Sequence, residues 1–440
     1  MSPNKMSMSL IIPVSLMLFS FFFGAGNFIF PPILGQNAGD SMLPAIIGFC
    51  ISGVGLPLTG VIAMALNRSD NPESMANPVH SYYAKAVIII CSLTIGPLFA
   101  IPRTAAVSFD TGILAFIPTG FETIALAVYS FLFFLLTYVL SVNPSKLLDH
   151  IGKVLTPMLL TCLAILIAYV VYEPMGEIQP AVGEYATIPF FKGFVEGYNT
   201  MDLLASLLFG AAAINAIEGK GILDHKLLTK VCIYSGIIAA SFLMVIYGAL
   251  TYMGATSVAL LGMMENGGQM LSQITIHYMG WGGKIILALI IFFACLTTSI
   301  GVTSSVSGYF TIVCKEKIQY ERFVAAICMF SFVISNFGLG NIIKISIPVL
   351  CMLYPITIVL VLLNLGSGIF KRDPKIFRPA MAFTTIFAIV DGLRTLGMTS
   401  EGLNSFFAQY IPLYSIGFGW VAPCIAGILV GFIWKAVASK

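Results

Sequence analysis

Charged residues are scarce in this sequence. Asp, Glu, Lys and Arg make up 9% of the 440 residues, whereas a typical soluble domain carries about 25%. Hydrophobic residues make up 58% of the chain, and the mean hydropathy is +0.97. This composition predicts an integral membrane protein surrounded by lipid. No basic tract is long enough to indicate a nucleic-acid partner.

Catalytic and metal-binding motifs are missing as well. The sequence contains no HExxH, no Walker A pattern and no aspartate-rich cluster. Its nine cysteines are singly spaced, without a CxxC or Cys/His cluster, so neither a disulfide framework nor a structural metal site is expected. The four histidines lie in or beside connections: His80, His150, His225 and His277. The chain is therefore predicted to be no enzyme and to need no cofactor.

The sequence does contain a series of long apolar stretches. Each is close to 20 residues, the length at which a helix crosses a bilayer, and none shows the strict alternation of barrel strands. The predicted fold is a single all-α transmembrane domain, 1–440, with about 12 helices. The candidate spans are 9–34, 42–66, 84–107, 121–142, 153–172, 201–218, 229–253, 284–312, 323–338, 342–364, 379–397 and 411–435.

Positive charge is distributed unevenly between the two sides of the predicted membrane domain. Of the 22 Lys and Arg residues, 17 fall in the termini and even-numbered connections, four fall on the opposite side, and Arg103 lies within a span. Cytoplasmic connections carry such an excess of basic residues. The sequence therefore predicts that both termini are cytoplasmic.

The first span is interrupted by residues that helices disfavour. Gly24 and Gly26 lie at its centre beside Asn27, and Pro31 and Pro32 follow. Glycine costs a helix about 1 kcal/mol and proline about 3 kcal/mol, and free backbone groups at membrane depth are tolerated only where protein, water or a ligand satisfies them. The stretch predicts either a broken helix lining a cavity or glycines that allow a neighbouring helix to pack closely.

The sixth span contains a short echo of the first. Residues 207–212 parallel residues 21–26, 186 positions earlier, and the two sets of five spans begin on opposite sides of the membrane. This is the arrangement of an inverted repeat, in which paired broken helices mark a midplane binding site. The predicted repeats are 9–173 and 201–364, with extra helices over 379–436 and a second interruption near 209–213.

Two further features of the spans have more than one interpretation. Hydroxyl residues crowd 297–305 in span eight, where they either bond back to their own helix or provide oxygen ligands for a small cation. Arg103 lies at membrane depth, which costs about 2.5–3.5 kcal/mol on insertion scales. Its side chain is expected to snorkel to the surface, to pair with Asp110 or to face an aqueous vestibule.

Several motifs together resemble the bacterial branched-chain amino acid carriers of the BrnQ type, over essentially the whole chain. They are Phe-Phe-Gly-Ala-Gly-Asn-Phe-Ile-Phe-Pro-Pro (22–32), Gly-Val-Gly-Leu-Pro-Leu (53–58), Gly-Pro-Leu-Phe-Ala-Ile-Pro-Arg-Thr-Ala (96–105), Tyr-Asn-Thr-Met-Asp (198–202) and Thr-Thr-Ser-Ile-Gly (297–301). The resemblance implies cation-coupled uptake of leucine, isoleucine and valine across the bacterial cell membrane. It also implies a fold similar to the LeuT-like five-plus-five inverted repeat.

Similarity to LeuT-like transporters implies roles for individual residues. The Ala25 and Gly26 amides would receive the substrate carboxylate, and Asn27 would contact substrate or lock the break. The remaining implied substrate contacts are Leu203, Leu204, Ser206, Phe209, Ser299 and Ile300. The implied sodium ligands are the Ser20 and Phe23 carbonyls together with Ala294, Thr297 and Thr298.

The resemblance leaves the coupling ion open. Where those relatives place a threonine ligand for another sodium, this chain has Leu204, so a single Na⁺ is expected. Proton coupling is the alternative, and it needs a titratable residue near the site. Arg103, Asp110 and Asp202 are weak candidates for that role because none falls within the two predicted interruptions.

Overall fold

The first predicted span is two helices in the computed structural model, which describes residues 8–67, 70–143 and 155–438. Helix α1 (Met8–Phe22) and helix α2 (Ala25–Ala38) are separated at Phe23 and Gly24. Gly24 has an extended backbone with φ −122° and ψ −159°, and a Cβ on it would lie 2.8 Å from Thr298. The interruption predicted from the glycines is confirmed.

The chain continues from α2 to residue 172 through helices that contain wide turns. π-Helical turns interrupt the second and third predicted spans at Ile51–Gly55 and Thr94–Leu98, and a further one, Phe109–Ile113, follows the third span. Such turns are common at functional sites. The α-helices of this part are α3 (Met42–Cys50), α4 (Leu56–Leu66), α5 (Ser81–Leu93), α6 (Ala100–Ser108), α7 (Glu122–Ser141) and α8 (Thr156–Tyr172).

The second half of the chain contains the longest helices. Its α-helices are α9 (Pro189–Glu196), α10 (Asp202–Glu218), α11 (His225–Leu261), α12 (Gly267–Val313), α13 (Tyr320–Ser335), α14 (Leu339–Leu365), α15 (Ser367–Phe370), α16 (Pro374–Thr395), α17 (Glu401–Tyr410) and α18 (Val421–Val437). Among the described residues, seven helices are long and apolar enough to cross a membrane, or eight if the bent pair around α10 is one span. The count of 12 spans and the repeat boundaries stay predictions.

Several stretches of the predicted domain, including 68–69 and 144–152 with His150, lie outside the described residues. Residues 153–154, where the predicted fifth span begins, lie outside the described residues. The same holds for residues 1–7 and 439–440 at the ends of the predicted domain.

The second interruption is not where the sequence predicted it. Residues 209–213 lie inside the continuous helix α10, so that prediction is wrong. A Cβ on Gly210 would come within 2.9 Å of the Met64 side chain, which shows that this glycine serves close packing between α10 and α4.

The break that pairs with the first one lies immediately before α10, at Met201, eight residues ahead of the predicted position 209–213. Segment 189–200 and helix α10 meet at an angle of 49°. Met201 forms the corner with φ +64°, in the left-handed region, and a 3₁₀ turn, Gly197–Thr200, precedes it. An L-residue in this conformation costs roughly 1–2 kcal/mol. The corner is therefore held by its surroundings, in which Met201 is 1% exposed.

Small residues bring the helix backbones together around the core. Cβ atoms added to Gly35 of α2 and Gly254 of α11 would overlap the backbone of the partner helix, at Thr251 and Pro32 respectively. The extra helices α16 and α18 pack in the same way, because a Cβ on Gly427 would lie 2.7 Å from the Pro379 carbonyl oxygen. Interfaces built on small residues are typical of membrane helices.

Candidate substrate and ion site

The two helix interruptions meet at a small central pocket. Its walls come from the first break, α6, the second break, the start of α10 and the middle of α12. The free volume is about 20 Å³, enough for roughly one water molecule. The structure is therefore closed around this site, and a bound amino acid requires the walls to move apart.

The structure brings part of the predicted substrate set to this pocket. Ala25, Gly26, Asn27 and Phe209 line it, as does the predicted ion ligand Thr298. Phe209 packs on Phe21 and Phe22, with ring centroids 5.0 and 5.2 Å apart. These rings and the neighbouring Ile95 and Val302 form its apolar wall.

The other predicted substrate residues lie behind the pocket wall. Leu203, Leu204 and Ile300 are buried in the core. Ser206 donates a hydrogen bond to the Leu203 carbonyl at 2.7 Å and packs where Gly60 leaves room for it. Ser299 shares a hydrogen bond of 3.2 Å with Thr137 of α7. In this closed state these five residues support the pocket rather than line it.

Asn27 connects the two interruptions. Its side-chain oxygen accepts a hydrogen bond from the Gly24 amide at 3.3 Å, so it caps the start of α2. Its side-chain nitrogen donates to Asp202 Oδ2 at 2.6 Å and also to the Tyr247 hydroxyl. Of the two roles predicted for Asn27, the structure favours the one that locks the break.

Arg103 on α6 faces the pocket. Only 2% of the residue is exposed, so it does not snorkel. Asp110, the predicted partner, lines a different cavity with Glu265 and Gln269. The guanidinium lies 5.6 Å from the centroid of Phe30, and its Nη2 is 2.7 Å from where a Cβ on Gly26 would be. Its Nε and Nη1 have no hydrogen-bond partner.

Asp202 places a buried carboxyl group on the same pocket. It is the first residue of α10, is 4% exposed, and its amide donates to Thr200 Oγ1 at 3.3 Å. A carboxylate is favoured at a helix N-terminus because the backbone dipoles point their positive ends there. Arg103 and Asp202 both line this pocket. Sequence reasoning gave Asp202 little weight because it expected the break at 209–213, about two helical turns further on.

The predicted ion ligands lie where α1 ends against α12. Thr298 Oγ1 donates to the Ser20 carbonyl oxygen at 2.9 Å, while Thr297 Oγ1 bonds back to the Phe293 and Ala294 carbonyls. Because α1 stops at Phe22, the Ser20 carbonyl has no donor within its own helix; the Gly24 amide donates to Asn27 instead, at 3.3 Å. Carbonyl and hydroxyl oxygens are the ligands that hard cations prefer, so this donor set fits Na⁺.

An all-helical membrane domain whose interrupted helices meet at a buried polar pocket is the architecture of a secondary transporter. The model of the branched-chain amino acid transport protein family matches residues 7–438. The chain therefore belongs to that family. It is 41% identical to the branched-chain amino acid permease BrnQ of Bacillus subtilis, over 99% of both chains. Permeases are transporters rather than enzymes, and the sequence-based prediction of family and class is confirmed.

Solved structures show the same fold at low sequence identity. The structure of MHP1, a nucleobase-cation-symport-1 family transporter in a closed conformation with bromovinylhydantoin bound, has a TM-score of 0.63 at 12% identity. The match covers 97% of this chain and 93% of that one. The structure of MhsT in complex with L-phenylalanine has a TM-score of 0.59 at 14% identity, covering 96% and 97%. The predicted LeuT-like fold class is confirmed.

Proposed function

We propose that this protein is a symporter that imports leucine, isoleucine and valine together with Na⁺ across the bacterial cell membrane, by alternating access and with both termini in the cytoplasm. The observation that carries the proposal is the contact between Thr298 and the Ser20 carbonyl beside the first break. It gathers hydroxyl and carbonyl oxygens from α12 and α1 at one point. A sodium ion bound there holds the two helices together next to the substrate pocket.

Coupling follows if sodium binds the two access states with different affinity. A ligand shifts a conformational equilibrium only by its difference in binding free energy between the states. The ligands proposed here come from two different helices, α1 and α12, so any movement of one against the other changes the coordination. Sodium then favours the state in which α1 and α12 are in contact.

The apolar wall explains a preference for branched aliphatic side chains. Phe21, Phe22, Phe209, Ile95 and Val302 surround the space beyond the start of α2. Burying a methylene group contributes about 0.8 kcal/mol, so such a wall separates valine from leucine or isoleucine only modestly. Broad uptake of all three amino acids is the expected result.

The test is the sodium dependence of radiolabelled leucine uptake into proteoliposomes. Thr298→Ala is expected to raise the sodium concentration for half-maximal uptake by roughly tenfold, equivalent to about 1.4 kcal/mol, because a ligand oxygen is lost. Thr298→Ser keeps the hydroxyl and should stay near wild type. Thr311→Ala is a matched control on the same helix, since Thr311 only bonds back to Ser307. Unchanged sodium dependence in Thr298→Ala removes Thr298 from the ion site.

Proton coupling is a second candidate, and Asp202 is the observation that favours it. This buried carboxyl group lies directly after the second break, whereas the sequence predicted that break at 209–213. If an inward proton gradient drives leucine uptake in sodium-free buffer, proton coupling replaces sodium coupling as the mechanism. The sodium hypothesis expects no accumulation under those conditions.

A further inference from the structure

Arg103 and Asp202 are residues of opposite charge type that line the same central pocket. Arg103 is 2% exposed and Asp202 is 4% exposed. Charged side chains inside membrane segments are costly and face the bundle interior or a substrate path. Both residues line the pocket formed by the two breaks, so their charges need an explanation in terms of what the pocket binds.

The guanidinium of Arg103 has hydrogen-bonding capacity that the protein does not use. Arginine carries five N–H donors, and the Nε and Nη1 of Arg103 have no acceptor. Its Nη2 lies 2.7 Å from the position of a Cβ on Gly26, within the first turn of α2. The guanidinium therefore lies beside the positive end of α2, and its planar group is well suited to bind a carboxylate with two parallel hydrogen bonds.

Asp202 provides the opposite charge. Its Oδ2 accepts a hydrogen bond from the neutral amide of Asn27 at 2.6 Å, and the residue lines the same pocket as Arg103. An ammonium group that enters the pocket would gain a charge-assisted hydrogen bond from this carboxylate. With Asn27 holding Asp202 in place, the two ends of the site are fixed relative to one another.

We infer that Arg103 binds the carboxylate and Asp202 the ammonium group of the substrate, so that the pocket selects the zwitterion of a free α-amino acid. This inference rests on the proposed function and identifies the residues that recognise the charged ends of its substrate. Because both side chains line the same pocket, each compensates part of the other's charge. A ligand that carries only one charge leaves the other side chain buried without compensation, and breaking such a buried pair is strongly unfavourable.

The experiment compares three ligands of similar shape: leucine, 3-methylbutylamine, which lacks the carboxylate, and 4-methylpentanoate, which lacks the ammonium group. Binding to the purified full-length protein is measured by competition with radiolabelled leucine and by ligand-induced thermal shift. Wild type is expected to bind leucine at least tenfold more tightly than either analogue, corresponding to about 1.4 kcal/mol. Equal affinity of wild type for all three ligands overturns the inference without any variant.

Variants that remove one of the two charges are expected to change the ligand preference in opposite directions. Arg103→Gln should lose leucine affinity by at least tenfold and then favour 3-methylbutylamine over 4-methylpentanoate, whereas Asp202→Asn should show the reverse order. If Arg103→Gln does not fold, Arg103→Lys is used instead, and it should bind leucine more weakly than wild type while still preferring the zwitterion. If a variant ranks the three ligands in the same order of affinity as wild type, the assignment of that residue is contradicted.

The matched controls are Arg394→Gln and Asp391→Asn, a second Arg–Asp pair, on α16, whose Nη2 and Oδ1 lie 3.9 Å apart. Both should keep the wild-type preference for leucine. The same preparations separate this inference from the proposed function. If wild type takes up no leucine with either ion, the proposed function fails. If wild type transports leucine but the variants keep its ligand order, only the assignment of Arg103 and Asp202 fails.

Discussion

The interruption in the first span is built on glycine, whereas the interruption before α10 is built on a methionine in a left-handed conformation. Gly24 has an ordinary extended backbone, and glycine is needed there because a Cβ would lie 2.8 Å from Thr298. Met201 has φ +64°, a conformation that glycine would adopt without penalty. One break therefore depends on missing side-chain volume, and the other on contacts that hold an unfavourable backbone. Two helices that meet at one site can therefore be interrupted for different local reasons.

The surroundings of Met201 show how the second break is maintained. Thr200 accepts a hydrogen bond from the Asp202 amide at 3.3 Å and donates one to the Gly197 carbonyl at 2.8 Å. Asn27 then ties Asp202 to the first break. The two breaks are expected to respond to different substitutions. Added side-chain volume should block transport at the first break, and a residue that disfavours positive φ should destabilise the second break.

The largest effect is expected from filling the first break. In Gly26→Leu the new side chain meets the Arg103 guanidinium and the Asn199 carbonyl, since even a Cβ lies 2.7 and 3.0 Å from them. Leucine uptake should fall by at least roughly tenfold, about 1.4 kcal/mol, while the protein still reconstitutes as a folded monodisperse sample. Gly248→Leu is the control, because a Cβ there meets nothing within 4 Å. Normal uptake by Gly26→Leu would show that the first break is only a packing feature.

A smaller effect is expected from changing side-chain branching at the second break. Met201→Ile and Met201→Leu introduce side chains of equal size, but β-branched residues are especially unfavourable at positive φ. The isoleucine variant should unfold more easily than the leucine variant by about 1–2 kcal/mol, read as a lower midpoint in thermal unfolding. It should also transport leucine more slowly. Equal stability of the two variants would mean that the backbone at residue 201 can leave the left-handed conformation without a cost in free energy.

The smallest effect is expected from removing the hydroxyl that caps α10. Thr200→Val keeps the shape of the side chain but loses both hydrogen bonds, which should lower stability by about 1 kcal/mol. Thr200→Ser keeps the hydroxyl and serves as the control in the same unfolding measurement. A valine variant as stable as wild type would show that the second break is held by packing alone.

Local sequence features explain which parts of the site were predicted. Glycines and prolines inside an apolar stretch identify the first break without any knowledge of its neighbours. The roles of Ala25, Gly26 and Asn27 were implied by the resemblance to LeuT-like transporters. Because residues 207–212 echo the first span, the second break was predicted near 209–213. That prediction is wrong, since Gly210 packs closely against Met64 and does not interrupt the helix. The actual corner at Met201 contains neither glycine nor proline, although it lies within the Tyr-Asn-Thr-Met-Asp motif of the family.

By itself, the sequence determined that the chain is a helical membrane protein of the branched-chain amino acid carrier type, with an interrupted first span. Hydropathy, glycine content and motifs are properties of neighbouring residues, so they can be read along the chain. Only the tertiary structure decided that Arg103 and Asp202 share a pocket, that Asn27 joins the two breaks, and that Thr298 reaches Ser20. These contacts join residues as far apart as 175 and 278 positions, and only helix packing brings such residues together.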